Sequence, residues 1–173
     1  ALGIMTSHPK PCTVVIDEKR SHLPIADQFI TLVQGTRLDK SSTKTQVQGI
    51  LKVVSEVKLG RRYIIFPEGG YYRNRNRVHD FLPGSFKCAI KSKSPIVPVA
   101  LIDCYKPFDK EVKGKIVAQI HYLKPMYYDE YKNMTDKQHL SKAKSMPIKF
   151  LKTSGKGFFI EKEGYAIAIR QDL

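Results

Sequence analysis

The chain has 173 residues, enough for one domain with its own core and no need of disulfides or a metal to hold it together. Hydrophobic residues make up 42% and charged residues 27%, which excludes a disordered chain, and the longest apolar run, residues 95–102, is too short to cross a bilayer. Lysine and arginine exceed aspartate and glutamate by 30 − 16 = 14, so the surface attracts polyanions: nucleic acid, anionic lipid or phosphorylated substrates.

Residues 1–11 contain no long apolar stretch, so no signal peptide is expected. Residues 13–16 are rich in β-branched side chains and predict a strand, followed by a polar turn over 17–21. Residues 45–59 predict a helix, with Val47, Ile50, Leu51 and Val54 forming one apolar stripe and Gly60 in the place of a C-terminal cap. Residues 63–66 read as a buried strand stopped by Pro67, and 68–80 as a polar, glycine-rich loop. A helix over 84–91 turns Phe86, Ala89 and Ile90 inward and is broken at Ser94-Pro95. Strands follow over 96–102, with Pro98 expected near a strand edge or bulge, and over 115–123 by alternation. A short helix over 136–144 and a hairpin of 158–160 with 165–169 complete the reading. Strands alternating with helices predict an α/β domain with a mixed, mostly parallel central sheet flanked by helices. Cys12, Cys88 and Cys104 are scattered and odd in number, which suggests a reducing compartment and no metal cluster.

Several constellations can carry chemistry. His22 and Asp27 are separated by four residues, and Pro24 between them favours the first position of a helix. His22 then lies in the loop before that helix and Asp27 one turn in. The carboxylate can hold one imidazole nitrogen, fixing the tautomer and leaving the other as a base for a hydroxyl. Phe66-Pro67-Glu68-Gly69-Gly70 ends a buried strand on a carboxylate and two glycines. Ligands of open α/β sheets bind beyond such strand ends, and glycines let backbone N–H groups approach an anion. Arg73, Arg75 and Arg77, with Lys87, Arg37 and Lys40, supply cations suited to phosphate. Tyr71 and Tyr72 precede that loop, so single-stranded nucleic acid is a competing ligand.

The order of these blocks is more specific than any one of them. HLPIAD, RLDK, IIFPEGG, FLPGSFKCAI and PIVPVALID together resemble the glycerolipid acyltransferase family, whose best-known members act on lysophosphatidic acid. The resemblance runs from about His22 to Tyr131. It implies that His22 is the general base on the acceptor hydroxyl, with Asp27 orienting and polarising it. Glu68 and Gly69 would position the acceptor. Its phosphate would meet the second block, where Lys40 stands in the place of the family's arginine and Arg37 lies close by. Arg73 is the first arginine after the third block. The implied donor is acyl-CoA or acyl carrier protein, with no metal or bound cofactor. The implied place of work is the cytoplasmic face of the cell membrane, as a peripheral protein, with no nucleic acid expected.

The chain departs from the family pattern in three places. Gly70-Tyr71-Tyr72 follows the third block where the family continues with threonine and arginine. Only twelve residues lie between Asp27 and Lys40, where the family carries a further strand and helix. Residues 146–173 have no clear counterpart at the C-terminus but faintly resemble that missing segment. They either fill the gap in space or form a hairpin on the sheet edge.

The expected function is transfer of a fatty acyl group to the free hydroxyl of lysophosphatidic acid. Glycerol 3-phosphate is the alternative acceptor, and a non-catalytic basic module binding nucleic acid or anionic lipid is the alternative class.

Overall fold

A computed structural model describes residues 1–70, 76, 80–134 and 164–169. The first helix, α1 (Leu2–Ser7), leads into strand β1 (Thr13–Asp17). A single helical turn, α2 (Glu18–Ser21), and a short helix, α3 (Ala26–Leu32), precede strand β2 (Thr36–Leu38). The long helix α4 (Thr43–Lys58) is followed by β3 (Tyr63–Ile65). A 3-10 turn (Pro83–Phe86) opens α5 (Lys87–Ser92), then come β4 (Ile96–Ile102), β5 (Gln119–Tyr122) and the single turn α6 (Tyr128–Tyr131). The last described element is β6 (Gly164–Ile169).

The six strands form one sheet in the order β2-β1-β3-β6-β4-β5. β2 and β3 pair parallel with β1, while β6 runs antiparallel to both β3 and β4. β4 therefore points the same way as β1, β2 and β3, so the sheet is mixed, as expected, with four of its six strands running one way and three of its five pairings antiparallel. Ala168 pairs with Ile64 on one side and Val97 on the other, so β6 joins two half-sheets.

Pleating divides the core between the two faces. Tyr63, Ile65, Ile96 and Ala100 face Val53, Val54 and Val57 of α4 and Phe86 and Ala89 by α5. Ile64, Val14, Val97 and Val99 face Ile4 of α1 and Ile30 of α3. Helices thus cover both faces of the sheet, the layering of an α/β domain.

Residues 13–16 and 96–102 fold as the strands expected, the strand expected over 63–66 ends at Ile65, and α4 ends as Gly60 foretold. Gly60 takes φ +91°, its N–H donates to the Val57 carbonyl and the Arg61 N–H to that of Glu56, closing two of the last-turn carbonyls.

Other expectations need correction. The inward face of α4 is Ile50, Val53, Val54 and Val57, one turn on from the expected stripe, and Val47 and Leu51 are exposed. The two stripes share Ile50 and Val54, and packing against the sheet and α5 selects the one that contains Val57. The expected turn at 17–21 is helical because the Asp17 side chain accepts from the Lys19 N–H and caps it. The strand expected over 115–123 is limited to β5, because β4 ends at Ile102 opposite Gln119 and offers residues 115–118 no partner. Pro98 lies within β4, a strand paired on both sides, where the β5 ladder stops at Val99↔Tyr122.

Residues 164–169 are neither an edge hairpin nor beside the 27–40 connection. They fill a position inside the sheet, with β3 and β1 between them and β2. Residues 158–160 and the helix expected over 136–144 lie outside the described residues. Among the described residues, no helix is long and apolar enough to cross a membrane.

Candidate active site

The C-terminal ends of β1, β2 and β3 lie side by side and in register, with Asp17 opposite Leu38. The residues of interest follow directly from those ends: Glu18 to Asp27 after β1, Lys40 after β2, and Glu68 and Gly69 after β3.

His22 caps the C-terminus of α2. Pro24 does not start the next helix. It sits in a turn, and α3 begins at Ala26 with Asp27 in its first turn. Ile25 makes the connection with φ +71°, a left-handed value costly for a β-branched residue. The turn brings Asp27 Oδ1 to 3.7 Å from His22 Nδ1. The expected pairing of these two side chains is therefore a close approach rather than a hydrogen bond. The other ring nitrogen, Nε2, is not open, since Glu18 Oε1 lies 2.8 Å from it.

Arg37 is the cation that meets Asp27. Its Nη2 donates to Asp27 Oδ1 at 2.8 Å, to the Asp27 carbonyl at 3.2 Å and to Thr31 Oγ1 at 3.0 Å. Its Nε donates to Ser21 Oγ at 3.0 Å, and Ser21, fully buried, donates to the Glu18 carbonyl. The guanidinium thus holds α2 and α3 together and sets the position of Asp27.

Lys40 serves a second group. Its Nζ lies 2.9 Å from Asp17 Oδ2 and donates to the Gly69 carbonyl at 2.7 Å. The hydrogen bond from Lys40 is the main reason that the Asp17 carboxyl is held below its usual range. Gly69 could not be another residue without rearrangement. It has φ +71°, and a Cβ there would come within 2.4 Å of Leu82 Cδ1. The Gly69 N–H closes a turn to the Phe66 carbonyl, and the Pro67 carbonyl accepts from Leu82 N–H and Ser85 Oγ. These bonds fix the half-buried Glu68 between Pro67 and Gly69.

The structure therefore brings His22, Asp27 and Arg37 into one group, and Lys40 and Gly69 into another that includes Asp17. The groups meet at the Asp17–Glu18 peptide. Arg73 lies outside the described residues. Glu18, Asp17 and Ser21 were missed in the sequence. The signal for Glu18 was its spacing of four from His22, visible only if 17–21 is read as helical.

The family profile described as acyltransferase matches residues 1–102. The chain belongs to the acyltransferase family. It is 30% identical over 95 residues to the 1-acyl-sn-glycerol-3-phosphate acyltransferase of Saccharomyces cerevisiae, covering 54% of this chain and 31% of that one. It is 27% identical over 131 residues to the enzyme of the same name from Cocos nucifera, covering 74% of this chain and 42% of the other. The chain thus spans less than half the length of these relatives. Among solved structures it resembles the 1-acyl-sn-glycerophosphate acyltransferase PlsC of Thermotoga maritima, with a TM-score of 0.60 at 18% identity. That likeness covers 84% of this chain and 59% of the other and establishes the shared fold.

Proposed function

We propose that this acyltransferase-family chain moves a fatty acyl group from an acyl thioester to the free hydroxyl of lysophosphatidic acid, giving phosphatidic acid. The observation that carries the reading is the imidazole of His22 set against Asp27 at the C-terminal edge of three parallel strands. The names of the relatives from Saccharomyces cerevisiae and Cocos nucifera point to the same acceptor.

In this mechanism Asp27 lies behind Nδ1 and favours the proton there, so Nε2 is the base. Nε2 takes the proton of the acceptor hydroxyl as its oxygen attacks the thioester carbonyl. The tetrahedral oxyanion collapses, the carbon–sulfur bond breaks, and the sulfur leaves as a thiol with the proton returned by the imidazolium. Glu68, on the turn that the Gly69 N–H closes to the Phe66 carbonyl, is assigned with Gly69 to positioning the acceptor. Lys40 has three donors and spends two on Asp17 and Gly69. We assign the third to the acceptor's phosphate, with Arg73 as a further cation for that group. Arg37 acts through Asp27.

A position at a membrane surface fits the same reading. Leu23 and Ile25, which flank Pro24 just after His22, are exposed. The net charge of +14 favours an anionic bilayer. Acyl-CoA and acyl carrier protein are both suitable donors.

The test is thiol release from acyl-CoA, and from acyl carrier protein, in vesicles with lysophosphatidic acid, glycerol 3-phosphate or no acceptor. Release that needs lysophosphatidic acid and is lost in His22→Ala supports the reading. Release with glycerol 3-phosphate alone transfers it to that acceptor. No release, with salt-sensitive binding of oligonucleotides unaffected by His22→Ala, replaces it with a nucleic-acid-binding module.

A further inference from the structure

Acyl transfer by His22 leaves one contact unexplained. Glu18 Oε1 lies 2.8 Å from Nε2, the nitrogen that must receive the hydroxyl proton. Asp27 Oδ1 lies 3.7 Å from the opposite nitrogen, so the ring stands between two carboxylates. A neutral imidazole has one N–H and one lone pair. With the N–H on Nε2, the bond to Glu18 forms and no lone pair remains there for a substrate. With the N–H on Nδ1, the Nε2 lone pair faces a carboxylate instead of a hydroxyl. In both tautomers an acceptor finds the base nitrogen already taken.

We propose that Glu18 is a positioning residue for His22, which holds Nε2 in place and is exchanged for the acceptor hydroxyl when substrate binds. The proposal rests on the acyl-transfer reading above. The geometry supporting it is local and well braced. Glu18 and His22 are four apart across the single turn of α2, so their side chains share a face. Asp17 caps that turn through the Lys19 N–H, and Ser21 Oγ donates to the Glu18 carbonyl while accepting from Arg37. The backbone of Glu18 is therefore fixed, and only its side chain needs to move. The His22 side chain is 59% exposed and that of Glu18 39%, so the carboxylate can swing into solvent and the hydroxyl can reach the ring. A contact of this exposure is weak enough for a hydroxyl to displace. Glu18 thus keeps the free ring from turning away from Asp27 and gives way at little cost. On the exchange the ring proton leaves Nε2 and one is taken up at Nδ1 beside Asp27 through solvent, which frees the Nε2 lone pair for the hydroxyl.

The test compares the chain with Glu18→Ala in the thiol-release assay with acyl-CoA and lysophosphatidic acid. The acceptor no longer competes with a carboxylate, so KM for lysophosphatidic acid falls by roughly twofold to fivefold while kcat changes little. A fall in kcat with KM unchanged overturns the exchange and makes Glu18 a fixed support. The second readout is the nitrogen-15 spectrum of the His22 ring at pH 8, assigned by its loss in His22→Ala. The Nε2 resonance should move on Glu18→Ala, and move likewise when lysophosphatidic acid is added to the unaltered chain. Identical ring resonances in the two chains overturn the proposal. Ring resonances that differ, with no thiol release from either chain, keep the Glu18 contact but overturn the acyl-transfer reading on which its exchange depends.

Discussion

Replacing Arg37 with methionine separates two roles that its place beside the site allows. The guanidinium makes four hydrogen bonds, and the one to Asp27 Oδ1, at 2.8 Å, is charge-assisted. Asp27 is about half exposed, which lowers the value of that bond through solvent screening. Ser21 is buried but keeps its own bond to the Glu18 carbonyl, so the loss of a donor there costs little more. Together these give about 1–2 kcal/mol of destabilisation. For a chain of this length that lowers Tm by roughly 2–8 °C, measurable by calorimetry. Without its partner Asp27 no longer stays behind Nδ1, and kcat should fall about tenfold, the equivalent of some 1.4 kcal/mol. Because the effect passes through Asp27, it should be the same for lysophosphatidic acid and for an uncharged monoacylglycerol acceptor. Arg37→Lys should restore the charge but little of the rate, since one ammonium cannot reproduce the fork that joins Ser21, Asp27 and Thr31. An unchanged Tm, with KM raised for lysophosphatidic acid alone, would refute this reasoning and place Arg37 on the phosphate.

Three further outcomes are expected. Val57→Ala should cost about 2 kcal/mol in urea unfolding and Val47→Ala less than about 0.5, because Val57 is fully buried and Val47 is 48% exposed; equal costs would contradict the assigned face of α4. Lys40→Met should lower Tm at neutral pH by an amount that shrinks as pH falls below about 4. The sign follows from Asp17, whose carboxyl is held low chiefly by Lys40, so its stabilisation exists above the usual carboxylate range and is lost on protonation; a gap independent of pH would count against the pair. Burial, and then the bond to Glu56, push the Tyr63 hydroxyl from 10.0 up to about 12. Its stabilising share is complete below pH 10 and lost as pH rises towards 12, so ultraviolet titration should show a late-ionising class of tyrosines, to which the buried Tyr131 also belongs, that loses one member in Tyr63→Phe.

Much of the fold was legible because its strongest signals are local. Residues 13–16, 63–66 and 96–102 are β-branched or apolar runs too short for helices, and each holds a strand, the second ending at Ile65. Gly60 announced its cap because a residue at φ +91° favours glycine. The face of α4 was not legible to within a turn, since the two candidate stripes share Ile50 and Val54 and only the packed sheet chooses between them. The place of β6 was not legible either. Its insertion between β3 and β4 is a pairing across more than a hundred residues of sequence from β3, which no local pattern encodes.

The site divides in the same way. Spacing placed His22 near Asp27, and glycine chemistry placed a turn at Gly69. The partners of the charged residues were hidden, because a sequence does not say which of Asp27 and a phosphate Arg37 will meet. The structure gives Arg37 to Asp27, and Lys40 to Asp17 and Gly69. Glu18 was hidden by a capped helical turn that reads as a polar loop until the Asp17 side chain is seen to close it.

The most direct test of the account is mass spectrometry of the lipid formed from acyl-CoA and lysophosphatidic acid in vesicles, with the chain, with His22→Ala and with no protein. The account predicts phosphatidic acid bearing the donor's acyl group with the chain alone. Equal amounts from the chain and from His22→Ala would contradict it, because the base at the edge of the sheet would then have no part in the transfer.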